Sequence, residues 1–278
     1  MVGDADARLS SGVEMSSSLR IRWDRVSVVL AALTVLLVLA GLAVFRGTAK
    51  GHAGSTSVDY RPAVAASAAP RTCPPQRSQP VRTAPRKGDS RTVALTFDDG
   101  PGPWTDDVLA VLARENVHAT FFMIGRLAAA NEKRVKQVAA AGHAVQNHSW
   151  SHPSPNPRTG WTRREVRPQI RRTSATITRI LGHQPCYFRP PQGVAKGAEN
   201  QTRAAGLSMA LWSVDTLDWA THGRSAPARI RARARAGLQQ QHPVILMHDG
   251  GGDRAATVAA LSGVIDDYRR HGYEFVTL

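Results

Sequence analysis

Five short stretches of this chain carry residues that could do acid–base or metal chemistry. Thr96-Phe97-Asp98-Asp99-Gly100-Pro101 sets two adjacent carboxylates after an apolar run and before a turn. Successive strand residues point to opposite faces, so neighbouring aspartates fit the point where a strand opens into a loop. Alone, the stretch reads equally well as a plain turn, because Asp-Gly-Pro breaks structure anywhere. His148-Ser149-Trp150-Ser151-His152 sets two imidazoles four residues apart, and on a helical turn both could reach one metal. Two imidazoles and a carboxylate make a zinc set with a position left open, and Asp98 or Asp99 could supply the carboxylate. The plainer reading is two surface histidines in a polar loop. Phe188-Arg189-Pro190-Pro191 offers a guanidinium whose planar fork can hold a carboxylate. Asp215-Thr216-Leu217-Asp218-Trp219 and Ile245-Leu246-Met247-His248-Asp249-Gly250 add further acids and a histidine.

These stretches need a frame that brings them together. From Arg91 onward, short apolar runs alternate with helical patterns. Strands are expected at 93–97, 119–124, 144–147, 186–189, 208–214, 244–248 and 273–277. Helices are expected between them, at 105–115, 131–141, 162–181, 199–205, 227–236 and 254–271. Thr105 can cap the first, and Thr162 with Glu165 forms a capping-box pattern before the third. Gly142 and Gly182 close the second and third. Seven strands alternating with helices mean parallel βα units with right-handed crossovers. A closed or nearly closed seven-stranded barrel is the expected form, although an open doubly wound sheet has the same rhythm. Each chemistry-bearing stretch falls just past a strand end, and in a βα fold those ends converge on one rim. Five signals that are weak singly become strong together.

The rest of the chain says where such a domain would sit. Residues 1–25 are polar, mixed in charge and read as disordered. Val26–Phe45 is an almost unbroken apolar run of roughly 20 residues, long enough to cross a bilayer and longer than the apolar region of a cleavable signal. Arg20, Arg22 and Arg25 before it, against Arg46 and Lys50 after it, lean towards a cytoplasmic N-terminus. Residues 46–90 turn to Ala, Ser, Pro and Thr and read as a flexible linker. Cys73 in that linker and Cys186 are the two cysteines, too few for a cysteine zinc site. They read as a disulfide tying linker to domain or as two free thiols. Net charge is +15, which favours polyanions, yet no nucleic-acid motif is present and none is expected as partner. Arg163, Arg167 and Arg171, at four-residue spacing, read as a solvated helix face or a polyanion contact.

From about Arg91 to Leu278 the chain resembles the polysaccharide deacetylase family, also called carbohydrate esterase family 4 or the NodB homology domain. The five stretches match its motifs in order and spacing. The resemblance implies a distorted seven-stranded (β/α) barrel that removes N- or O-acetyl groups from glycans with the help of a metal. By it, Asp98 is the catalytic base, and Asp99, His148 and His152 hold one divalent ion. Zinc is the default, and cobalt, nickel or manganese could take the same set. Arg189 orients Asp98, His248 is the general acid and Asp218 tunes it. Trp219 and Leu246 line the acetyl pocket. One departure stands out: where the family usually continues with an aromatic after the Pro-Pro, this chain has Gln192. The backbone N–H there can still face an oxyanion, while the lost ring alters the groove. The expected partner is an acetylated wall polysaccharide, peptidoglycan before chitin oligomers or acetyl-xylan. The expected location is the cell membrane, single-pass, with the domain outside. The rival reading is a wall-binding module that keeps the fold without the catalysis.

Overall fold

Val93, Ala94, Leu95, Thr96 and Phe97 are all fully buried, so the first strand is covered on both faces. That is the signature of a central parallel strand, and its continuous apolar run reflects it. The computed structural model describes residues 72–278. The expected tail and anchor, and most of the expected linker, lie outside the described residues. No helix among the described residues is long and apolar enough to cross a membrane.

Strand β1 (Arg91–Asp98) pairs in parallel with β2 (Thr120–Met123) on one side. On the other side it pairs with β7 (Val244–His248) and, near its start, with β8 (Tyr273–Phe275). Beyond β2 come β3 (Ala144–Asn147), β4 (Tyr187–Phe188) and β5 (Ser208–Met209); beyond β7 comes β6 (Val214–Asp215). Every pair is parallel. Alternation along β1 sends its side chains to two separate parts of the core. Val93, Leu95 and Phe97 face the helices, packing with Val108, Leu112, Ile177 and Leu261. Ala94 packs inward with Phe122, Tyr187 and Val244. Thr96 and Asp98 share that inward parity.

The strand expected at 208–214 divides in two. Its first piece, β5, pairs with β4, and its second, β6, pairs with β7. The break falls at Leu211, whose N–H donates to the Val81 carbonyl and whose C=O accepts from the Arg189 guanidinium, so neither bonds to β4 or β7. The two end strands of the sheet are thus successive pieces of one segment. This is a parallel βα half-barrel, not an open sheet with distant edges.

Residues 73–90, read from the sequence as linker, are attached to the barrel. Cys73 and Cys186 form a disulfide with Cα atoms 5.2 Å apart, which resolves the alternative of free thiols. Val81 bridges Ala210, Thr83 lies opposite Pro243, and the Ala84 N–H reaches the His242 carbonyl. Val81 and Ala84 are buried, so this stretch fills the seam beside β5.

The α-helices among the described residues are α1 (Thr105–Arg114), α2 (Gly125–Ala130), α3 (Glu132–Ala140), α4 (Arg163–Leu181), α5 (Glu199–Ala204), α6 (Ala226–Ala234) and α7 (Ala255–Arg270). The capping box at Thr162 and Glu165 is present, and Gly182 ends α4 in the left-handed region. Thr105 does not cap. It lies inside α1, fully buried, and its hydroxyl donates to Asp249 and accepts from the Gly102 N–H. Helix α2 was not expected; its Ala-rich turn follows β2 directly.

Candidate active site

The register of two neighbouring strands makes the site. Asp98 ends β1, His248 ends β7, and the two are Cα partners across the ladder. His148 and His152 follow β3, Arg189 follows β4, and Asp218 follows β6 in a short 3₁₀ turn. Together they open on a cleft of about 550 Å³. Of the ten residues singled out from the sequence, eight line it: Asp98, Asp99, His148, His152, Gln192, Trp219, Leu246 and His248. Arg189 and Asp218 lie behind, buried, each holding one of the others.

Arg189 is wholly buried, and its Nη1 donates to Asp98 Oδ1 at 2.7 Å and to the Thr96 hydroxyl at 2.8 Å. Its guanidinium carbon lies 3.9 Å from the centroid of the Phe122 ring, so the cation is clamped before it meets Asp98. Asp218 does the same for His248. Its Oδ1 meets His248 Nδ1 at 2.7 Å, and its Oδ2 accepts from the His248 N–H and the Thr257 hydroxyl. Burial alone would discharge His248, but the hydrogen bond and charge of Asp218, with Asp98 and Asp99, outweigh it and raise the pKa. Burial likewise opposes ionisation of Asp218, yet the same His248 contacts lower its pKa.

Asp99, His148 and His152 form a candidate metal site. Asp99 Oδ1 lies 3.4 Å from Nε2 of each histidine, close to the donor–donor edge of a tetrahedron with bonds of about 2.0–2.1 Å. That oxygen is buried and has no hydrogen-bond partner among the described residues, as expected of an atom reserved for a cation. His148 Nδ1 lies 2.8 Å from the Arg189 carbonyl, so it carries the proton and Nε2 is left free to ligate. Burial works against a charged His148, but Asp98 and Asp99 prevail and raise its pKa: the pocket favours positive charge. Burial also opposes ionisation of Asp99, and contacts with His148, His152 and His248 lower its pKa nonetheless. The donor set fits a divalent ion.

Backbone strain gathers here. Among the described residues six non-glycine residues have left-handed φ, and five of them, Asp99, Ser149, His152, Gln192 and Leu217, lie in the loops of this rim. Gln192 sits in the turn Pro191–Gly193 with φ 58°. That turn's bonds run from the N–H groups of Gly193 and Val194 to Pro190 and Pro191, which leaves the Gln192 N–H outside them. The Gln192 side chain turns away to donate to the Ser154 hydroxyl at 3.0 Å. Leu246 forms a buried wall, whereas Trp219 is 52% exposed and stands on the rim.

Three charged groups at or beside the cleft have no role from the sequence: Asp215 and Arg254, which line it with Trp212 and Gly251, and Asp249 beneath it. Burial raises the pKa of Asp215. Asp249 is pushed up to about 7 by burial, with Asp99 and Asp98 adding to the effect. A Cβ on Gly100 would lie 2.4 Å from Asp249 Oδ2, so only glycine lets the Asp98-Asp99 loop close over that carboxyl. The sequence signals were present in the Met-His-Asp-Gly continuation and in the run Gly250-Gly251-Gly252, since clustered glycines mark close backbone approach. The arginines of α4 belong elsewhere: Arg163, Arg167 and Arg171 line a separate groove with Ser174 and Gln201.

A carboxylate and an imidazole side by side, each held by a buried partner, next to a metal-ready triad on a parallel βα half-barrel, suit hydrolytic chemistry. The sequence pattern of polysaccharide deacetylases matches residues 86–210. A peptidoglycan-N-acetylglucosamine deacetylase of Bacillus cereus is 35% identical over 195 residues, covering 68% of this chain and 87% of that one. A chitooligosaccharide deacetylase of Sinorhizobium fredii is 36% identical over 208 residues, covering 69% and 93%. The crystal structure of a carbohydrate esterase family 4 pseudoenzyme from Bacillus anthracis superposes with TM-score 0.62 at 25% identity, covering 73% of this chain and 68% of that one. This chain belongs to the polysaccharide deacetylase family of hydrolases.

Proposed function

We propose that this chain is a metal-dependent deacetylase of cell-wall glycan that removes N-acetyl groups from peptidoglycan amino sugars. The observation that carries the reading is the pairing of Asp98 with His248 across adjacent strands, one oriented by Arg189 and the other by Asp218. Amide hydrolysis needs a base for the attacking water and an acid for the leaving amine, on two sides of one carbonyl. Asp98 takes a proton from water as its oxygen bonds to the acetyl carbon. The Gln192 N–H faces the oxygen that gains charge. His248, charged at the outset, gives its proton to the amine nitrogen as the C–N bond breaks, and acetate and a free amine leave. A divalent ion held by Asp99, His148 and His152 would supply Lewis acidity; zinc is our choice, with cobalt, nickel or manganese as substitutes. Leu246 and Trp219 give the acetyl methyl and the sugar face apolar surface.

The deciding experiment measures acetate release from peptidoglycan, chitin oligomers and acetyl-xylan, with and without chelator. Peptidoglycan is expected to be the best substrate and chelator to stop the reaction. No acetate from any of the three, with metal loaded, hands the chain to the pseudoenzyme reading that the Bacillus anthracis fold relative illustrates.

The raised pKa of His248 sets a second expectation. The acid must be protonated to act, so activity is lost as pH rises through its pKa. Asp218 is what raises that pKa, and Asp218→Asn removes its charge. The basic limb of the pH–rate profile is therefore expected to move to lower pH in Asp218→Asn. An unmoved limb assigns that limb to another group.

We further propose that Val26–Phe45 stays uncleaved and holds the domain at the outer face of the cell membrane, N-terminus inside. A disulfide in the domain supports an oxidising location. N-terminal sequencing of the mature protein checks this: a start beyond Phe45 removes the anchor.

A further inference from the structure

Arg254 is the second buried guanidinium at this site, and unlike Arg189 it has no acid. It is 4% exposed and lines the cleft. Its Nε donates to the Gly250 carbonyl at 2.8 Å and its Nη1 to the Asp253 carbonyl at 3.2 Å. Among the described residues, nothing pairs with Nη2 and no carboxylate forms an ion pair with the group. Removing a cation from water without a counter-charge is costly, and carbonyl dipoles meet only part of that cost. An anion arriving in the cleft would complete the site.

The place of that anion is narrow. A Cβ on Gly251 would lie 2.6 Å from Asp99 Oδ2 and 3.4 Å from Arg254 Nη2. The proposed metal ligand and the free guanidinium nitrogen thus both border Gly251. A group within a sugar ring's reach of the reacting acetyl would therefore meet Arg254. The oxyanion that forms during reaction would be met by the Gln192 N–H and by the divalent ion that Asp99, His148 and His152 would hold. What remains is a negative charge that the substrate itself carries, and a planar fork suits a carboxylate.

We propose that Arg254 binds a carboxylate on the glycan, so that the cleft prefers sugars with an acidic substituent to neutral ones. The proposal rests on the deacetylase reading above and narrows it. A muramic acid residue whose lactyl carboxylate is free has this chemistry; chitin has no such group.

The test uses the metal-loaded domain and two forms of one peptide-free oligomer of alternating N-acetylglucosamine and N-acetylmuramic acid. One form has free lactyl carboxylates, and the other has them as methyl esters. Wild type is expected to show a KM about 10-fold or more lower for the acid, since hydrogen bonds to charged groups carry that much. Arg254→Met is expected to erase that preference through KM, and Arg254→Lys to restore part of it. Equal KM values for the two forms in wild type overturn the proposal. So does an Arg254→Met variant that weakens both forms alike, because a purely structural arginine would do that. Should Arg254→Met fail to fold, by melting curve and metal content, the acid preference of Arg254→Lys and its decline with added salt decide instead. If wild type releases acetate from neither form, the deacetylase reading is what fails. Calorimetric affinities of wild type for the two oligomers then decide the role of Arg254 independently.

Discussion

Asp98→Asn is expected to release acetate about 10²–10⁴-fold more slowly than wild type while still holding its metal. The substitution keeps the size of the side chain and removes its basicity. The carboxylate is buried, fixed at 2.7 Å by Arg189, and its second oxygen lies 3.7 Å from His148 Nε2, so it borders the metal triad without belonging to it. An amide there cannot take a proton from water. The loss should therefore fall on kcat and leave substrate affinity and metal content close to wild type. Elemental analysis beside steady-state rates separates the possibilities. Metal lost together with activity makes Asp98 a ligand; a wild-type rate removes it from the chemistry.

The double substitution His148→Ala with His152→Ala is expected to abolish both metal retention and acetate release. Three donors are the smallest set that holds a catalytic ion and leaves it an open position. Removing two imidazoles leaves one carboxylate, too little to retain an ion through desalting. His148 also contacts the Arg189 carbonyl, so its loss touches the base as well as the metal. His152 is more exposed and makes no such contact, which suits His152→Ala alone as the folding control. Full metal content in the double variant would sink the ligand assignment.

Much of this site was legible because βα architecture turns a linear pattern into a rim. Asp98, His148, Arg189, Asp218 and His248 each come just after an apolar run or end it, and parallel strands bring such positions to one end. Which aspartate of the pair does which job was not legible from residue types. Strand register decides it: Asp98 keeps inward parity and meets Arg189, while Asp99 breaks to φ 73° and swings towards the histidines. The segment 208–214 reads as one continuous strand because nothing local marks its division. Val81 and Arg189, distant in sequence, take the peptide groups of Leu211. Thr105 reads as a cap for the same kind of reason, since its partner Asp249 lies 144 residues away. Residues 73–90 look like linker because composition reports solubility, and a segment that fills a seam needs only a few apolar side chains such as Val81 and Ala84.

The bond between Cys73 and Cys186 also matters mechanically. A pull on the chain just ahead of Cys73 does not travel only along the stretch that lies in the seam. The disulfide shunts part of the load directly to Cys186, at the foot of β4, across 113 residues of sequence. Strands run from that foot to the rim, so the force enters at the end of the barrel remote from Asp98 and His248. The hydrogen bonds of Val81 and Ala84, which would otherwise peel one after another under tension, are spared. Tension that enters at Cys73 would therefore reach the barrel without drawing Asp98 and His248 out of register.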